Sequence, residues 1–134
     1  MNQDLEHLKL LTIFHYVVAG ITALFALFPI FHLGFGIFIL AAPEAFQDGS
    51  DAPPEFLGWM LIGVAAVIIA IGWTLAALIF TAGRNLARRK RYTFCFVIAG
   101  LECLLMPYGT VLGVFTIIVL MRESVKAMFQ EVSR

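Results

Sequence analysis

Two long apolar runs restrict what this chain can fold into more than any other feature of its sequence. The first extends from residue 8 to residue 42, and the second from residue 56 to residue 81. A helix of ~20 residues crosses a bilayer, whereas a surface helix of a soluble protein alternates apolar and polar faces. With 61% hydrophobic and 13% charged residues among 134, the chain is too small and too apolar to cover this surface in water. The sequence therefore predicts an integral membrane protein.

The charged residues are distributed asymmetrically, although the formal net charge is zero. Five of the nine basic residues lie in residues 84–91 and three more in residues 122–134, whereas residues 43–55 carry only acidic charges. Basic loops remain on the cytoplasmic side of a membrane. We therefore expect residues 84–91 and the C-terminus to be cytoplasmic and the acidic segment to lie outside. The basic segment is interpreted as a topology anchor beside anionic lipid, and no nucleic-acid partner is predicted.

The predicted fold is an all-α, polytopic transmembrane helical bundle formed by a single domain over residues 1–134. Breaker residues divide the chain into helices at about 8–42, 56–82, 86–106 and 109–130.

The number of spans depends on Pro29, which lies inside the first run. One long helix kinked at this proline gives four spans, and a hairpin there gives five. A similarity of residues 19–38 to residues 99–115 supports the hairpin. Four spans are favoured because the return arm of a hairpin, residues 30–42, is short for a crossing.

Glu102 is the most informative polar residue, since it lies ~16 Å along a helix from Arg91 and hence near the middle of the membrane. A carboxylate there is unfavourable by on the order of 3 kcal/mol, so such acids face the bundle interior and often mark ion or proton paths. Two interpretations stay open: a transport site, or a hydrogen-bonded staple to Thr74 or Thr110. The staple is favoured because no intramembrane Lys, Arg or second acid is available as a partner.

Gly109 and Gly113 form a GxxxG pattern within an apolar helix. Glycines one turn apart let a neighbouring backbone approach closely. They are candidate helix-packing residues, either within the chain or between subunits.

Histidine and cysteine spacing predicts neither a metal nor another cofactor. His15 and His32 are ~25 Å apart along a continuous helix, and their distances from Pro29 are unequal in a hairpin. Cys95 and Cys103 are ~12 Å apart along a helix, too far for a disulfide. No catalytic motif is present, and the protein is predicted not to be an enzyme.

The run MPYGTVLGVFTIIVL at residues 106–120, followed by Ser124, Val125 and Phe129, resembles the C-terminal PxGTxLGxFTxxVL-type signature of small uncharacterised bacterial multi-helix inner-membrane proteins. The opening LLTIFHY at residues 10–16 is similar to their start. The resemblance implies a compact helical bundle in the bacterial cytoplasmic (inner) membrane. It implies no activity.

The sequence therefore favours a multi-pass protein that self-associates, as a homo-oligomer, or serves as a small subunit of a membrane complex. The alternative is an ion or proton channel or transporter unit that uses Glu102. A third function, a haem- or metal-binding redox subunit, is disfavoured by the histidine spacing.

Overall fold

The computed structural model describes residues 2–46 and 55–134, which form helices joined by turns. The prediction of an all-α fold is confirmed for these residues, which contain no strand. A short 3₁₀ turn, Pro43–Phe46, follows the second helix. Residues 47–54 of the acidic segment lie outside the described residues. Within the described residues the helices are α1 (Asn2–Phe25), α2 (Ile30–Ala41), α3 (Glu55–Arg88), α4 (Tyr92–Glu102), α5 (Tyr108–Leu120) and α6 (Glu123–Ser133).

The chain passes Pro29 with a tightened helical turn. Phe28 N–H donates to the carbonyl of Phe25 and Ile30 N–H to that of Leu27, at 3.1 and 3.0 Å, both in the tighter i to i−3 pattern. The i to i−4 pattern resumes where Leu33 donates to Pro29 at 2.9 Å. This ladder is typical of a kink caused by a proline that has no N–H. Asn2–Ala41 is accordingly a helical stretch of 40 residues, which supports the kinked helix over the hairpin.

The basic segment is largely helical, which differs from the predicted break between residues 82 and 86. α3 continues to Arg88, and the chain turns where Arg89 and Arg91 both adopt a left-handed φ of 52°. The predicted helix at 86–106 therefore corresponds to the shorter α4. Residues 109–130 form two helices, since Arg122 is extended with ψ 133° between α5 and α6. Charge pattern alone did not locate these breaks, because Lys and Arg are good helix formers.

Helix length separates two kinds of segment. Among the described residues, Asn2–Ala41 and Glu55–Arg88 are long and apolar enough to cross a membrane. The 11 residues of α4 and the 13 residues of α5 rise only ~16 and ~20 Å, less than the ~30 Å hydrocarbon core. Four full crossings stay a prediction.

The chain divides into two compact units, Thr22–Thr74 and a second made of Met1–Ile21 and Leu75–Arg134. In the first, α2 approaches α3 at glycines: a Cβ on Gly36 would lie 2.9 Å from the carbonyl oxygen of Gly58. The second unit has a core of buried aliphatic and aromatic side chains contributed by α1, α3, α4, α5 and α6, including Leu11, Ile79, Leu86, Ile98, Leu112, Leu120, Val125 and Phe129. This second unit contains the candidate site.

Candidate functional site

His15 is completely buried on α1 and its ring orientation is fixed by the backbone. Nδ1 lies 2.8 Å from the carbonyl oxygen of Leu11, one turn earlier. A carbonyl only accepts hydrogen bonds, so Nδ1 carries a hydrogen in this contact. The opposite ring nitrogen, Nε2, is thereby left to interact across the helix interface.

Glu102 lies opposite that nitrogen on α4. Its side chain is 1% exposed, and Oε1 is 3.3 Å from Nε2 of His15. At this separation the groups are in ion-pair contact, but Nε2 and the two carboxyl oxygens make no hydrogen bond within residues 2–46 and 55–134. A buried carboxyl group without donors is unfavourable unless it is paired. His15 is the partner that the structure supplies.

The fixed tautomer determines how this pair can remain neutral. With Nδ1–H bonded to Leu11, one further proton on either Nε2 of His15 or the carboxyl group of Glu102 makes the pair neutral. The proton on Nε2 gives an imidazolium beside a carboxylate, and the proton on Glu102 gives two neutral groups. Either arrangement has zero net charge, whereas loss of the proton would leave an unbalanced buried charge. The pair is chemically a proton-holding staple between α1 and α4.

Two glycines make room for the pair. A Cβ on Gly83 of α3 would lie 2.9 Å from Cβ of His15, so α1 approaches α3 closely at this level. A Cβ on Gly109 of α5 would lie 2.5 Å from the carbonyl oxygen of Glu102. The polar pair is therefore enclosed by close helix contacts.

The space beside Glu102 is small and apolar. A cavity of about 10 Å³ adjoins its side chain, which is about the minimum that one water molecule needs. The rest of its lining is aliphatic: Leu75, Leu78, Ile79, Ile98, Leu101 and Leu105. This environment fits a dry helix contact better than a hydrated ion path.

Gly109 and Gly113 face α4 of the same chain. A Cβ on Gly113 would collide with the carbonyl oxygen of Ala99 and lie 2.7 Å from Sγ of Cys103. Both glycines thus serve packing inside the second unit, which is the intrachain alternative of the sequence prediction. Thr110 adds a hydrogen bond at this contact, its hydroxyl donating to the carbonyl of Cys103 at 2.8 Å.

The two threonines suggested as partners of Glu102 bond elsewhere. Thr74 donates to the carbonyl of Ala70 at 2.7 Å, and Thr110 to Cys103, so neither hydroxyl reaches the carboxyl group. The sequence did not reveal His15 as the partner, because His15 was considered only together with His32 as a possible metal ligand. The depth of His15 along α1 was a usable signal, since His15 lies ~9 Å from Lys9 along that helix. The Glu102 side chain leans toward the N-terminus of α4, which brings its carboxyl group closer to the depth of His15.

A second polar cluster joins the start of α1 to the start of α6. Arg122 Nη1 donates to Oδ1 of Asp4 at 3.0 Å, and Ser124 Oγ donates to Oδ2 at 2.7 Å. The hydrogen bond from Ser124, followed by that from Arg122, lowers the pKa of Asp4 below its ordinary value of 3.8. His7 Nδ1 lies 3.3 Å from the same guanidinium. This cluster precedes the apolar run that begins at residue 8.

The third histidine has a different environment. His32 is exposed on α2, with its ring centroid 5.7 Å from that of Phe28. No group of three metal-ligating side chains occurs in the described part of the chain.

Comparison with protein-family models, curated proteins and solved structures finds no match to this chain.

Proposed function

We infer that this chain is a non-enzymatic, multi-pass helical-bundle protein of the bacterial cytoplasmic membrane. It self-associates or serves as a small subunit of a membrane complex. The observation that carries this proposal is that small residues on different helices are used in different ways. Gly109 and Gly113 are used inside the chain, while small residues on α3 remain uncovered on an apolar face.

The outward faces of the helices support a membrane location. Large apolar side chains are more than half exposed on several helices, which would be unfavourable in water over so wide an area. In lipid such faces need no protein cover. They include Leu24, Phe31, Phe56, Val67, Val97, Val111 and Phe115.

The uncovered small residues are Gly63, Ala66 and Ala70 on α3. All three are exposed, and a Cβ on Gly63 would meet no atom within 4 Å. Their spacing of three and four residues places them on one face of the helix. Small residues on one face allow close backbone approach, which drives helix association in lipid. This face is the one that we assign to a second copy or to a partner subunit.

The proposed topology retains four membrane segments with a cytoplasmic C-terminus. The stretch Asn2–Ala41 and helix α3 cross fully, in keeping with their lengths. α4 and α5 enter as a short hairpin from the basic side and return to it, so residues 84–91 and 122–134 share one side. The positive-inside rule then assigns that side to the cytoplasm.

An ion or proton pathway through Glu102 has less support. The contact between two titratable side chains, His15 and Glu102, favours it, but the small aliphatic cavity beside the carboxyl group opposes it. Reconstituted vesicles distinguish the two functions. We expect no proton or cation flux above that of empty vesicles. Flux in the parent that disappears in Glu102→Gln would establish transport instead.

Disulfide crosslinking tests the proposed association face. Cys95→Ala and Cys103→Ala remove the native thiols, after which Ala66→Cys or Ala70→Cys places one thiol on the proposed face. We expect oxidation in native membranes to give a crosslinked dimer, or a crosslink to a partner of defined mass. Val111→Cys is the matched control, since Val111 is also exposed on an apolar helix but lies outside the face. Equal crosslinking at Val111 and Ala70, or none at either α3 position, would contradict the proposal.

A further inference from the structure

The cytoplasmic end of the second unit contains a cavity that the proposed function does not use. Its volume is about 440 Å³, within the range of ~300–1,000 Å³ that is common for ligand sites. It lies between the start of α4 and the outer side of α6. The lining residues are Arg91, Tyr92, Lys126, Phe129, Gln130 and Ser133.

Two cations in this lining have no acidic partner. Arg91 and Lys126 form no ion pair with any residue that the structure describes. No acid lines the cavity either. The nearest acids along α6, Glu123 and Glu131, are exposed to the surroundings. The cavity therefore has a net positive lining, which favours an anionic ligand.

An aromatic floor supports these cations. The rings of Tyr92 and Phe129 meet edge to face with centroids 5.6 Å apart. The hydroxyl of Tyr92 donates to the carbonyl of Leu120 at 2.8 Å, which holds its ring against α5. Phe129 is buried together with Val125 and Met128, so α6 is packed firmly on the unit. These contacts hold the two rings in place. Lys126 and Gln130 lie beside them on successive turns of α6.

An exposed apolar wall continues from the cavity toward the membrane. Phe96 lies one turn beyond Tyr92, with ring centroids 6.3 Å apart, and Val97 beside it is also exposed. A soluble anion would use only the cationic end. A phospholipid would use both, with its phosphate between Arg91 and Lys126 and an acyl chain along Phe96.

We propose that this cavity binds the phosphate-bearing headgroup of an anionic phospholipid. Arg91 and Lys126 would bind the phosphate through charge-assisted hydrogen bonds, and Gln130 would bond to polar groups of the headgroup. The proposal rests on the membrane location in the proposed function, but it does not require self-association.

Native mass spectrometry of the detergent-solubilised protein tests this site with phosphatidylglycerol as the probe and phosphatidylcholine as the zwitterionic comparison. We expect phosphatidylglycerol to be retained preferentially. Arg91→Gln combined with Lys126→Gln should weaken its binding by about tenfold or more, the result of losing two charge-assisted contacts. Lys126→Gln alone changes an exposed side chain and should give a smaller decrease in the same direction, even if the double variant folds poorly.

Arg84→Gln combined with Arg88→Gln is the matched control. It removes two exposed arginines of the same basic segment that do not line the cavity. The control should retain phosphatidylglycerol like the parent. Equal loss in both double variants, or equal retention of the two lipids by the parent, would overturn the proposal. Displacement of the lipid by inorganic phosphate at matched concentration would also overturn it, since the ligand would then be a soluble phosphate.

Gly63→Leu separates this inference from the proposed function. It alters the association face and not the cavity, so lipid retention should be unchanged whether or not the variant is monomeric.

Discussion

Nε2 of His15 lies 3.3 Å from Oε1 of Glu102, and both side chains are buried. The contact joins α1 to α4 and is the one ion pair that the described residues place inside the apolar part of the protein. With Nδ1 held by Leu11, a single further proton on either group makes the pair neutral. The contact gives the buried acid at the end of α4 a partner without a hydrated path.

A double-mutant cycle at His15 and Glu102 should show strong coupling. His15→Leu leaves a buried carboxyl group unpaired and should lower the free energy of unfolding by about 3 kcal/mol. Glu102→Gln retains a hydrogen-bonding group that can donate to Nε2 and should change it by less than about 1 kcal/mol. The double variant His15→Leu with Glu102→Leu should recover most of the loss, since apolar replacement of a buried pair is often nearly neutral.

Unfolding in mixed micelles gives these free energies. The cycle also needs Glu102→Leu alone. If the changes in free energy of His15→Leu alone and Glu102→Leu alone simply add in the double variant, the side chains do not interact and the staple is wrong.

The effect of a glycine substitution on stability should depend on the free space beside that glycine. Gly113→Ala places a Cβ against the backbone of α4 and should destabilise the protein by about 1–3 kcal/mol through overpacking. Gly100→Ala meets no atom within 4 Å and should stabilise α4 by up to about 1 kcal/mol, because alanine is the better helix former. Thermal melting in one detergent compares the two. A melting temperature unchanged or raised by Gly113→Ala would show that close contact is not required there.

The Asp4 cluster should make stability sensitive to acid. Its pKa is lowered by the hydrogen bonds from Ser124 and Arg122, so the carboxylate form stabilises the folded state. This contribution is complete above the ordinary value of 3.8 and is lost as the pH falls through the lower pKa of the folded protein. Melting followed as the pH is lowered from neutrality through and below 3.8 should show a decrease in the parent that is smaller in Asp4→Asn. Parallel pH profiles would contradict it.

The all-helical fold could be predicted from sequence because long apolar runs impose one dominant constraint. Apolar runs longer than the bilayer require helices, and the structure forms helices over both runs. The exact helix boundaries were harder to predict from sequence. The end of α3 depends on the left-handed backbone of Arg89 and Arg91, and the break at Arg122 coincides with its bond to Asp4. Helix propensity encodes neither feature.

The site was predictable only in part. The cost of a carboxylate in an apolar helix made Glu102 a candidate without further information. The depth of His15 along α1 could suggest it as the partner, but the contact itself depends on how α1 and α4 pack against each other, which the sequence does not give. The glycine pattern at Gly109 and Gly113 predicted close packing, but its intrachain use follows from the tight turn after α4, which returns α5 onto the same helix.

Cysteine labelling tests the proposed sidedness. Glu44→Cys, in the 3₁₀ turn after α2, and Lys90→Cys, after α3, are both at exposed positions. In a background without native thiols, an impermeant reagent should label the first in intact cells and the second only after permeabilisation. Labelling of both positions in intact cells would contradict the topology.

The central claim is association through the uncovered face of α3, and subunit counting in the membrane tests it most directly. Single-molecule photobleaching of fluorescently tagged protein, in vesicles drawn from the native membrane, should show two or more steps for the parent or co-localisation with one labelled partner. Gly63→Leu should reduce this to isolated single steps, because a Cβ at this position meets no atom of the described residues within 4 Å and the larger side chain would block close approach by another subunit. Gly34→Leu, at another exposed and open glycine, should behave like the parent. Single steps without a partner in the parent, or an unchanged step count in Gly63→Leu, would contradict the account.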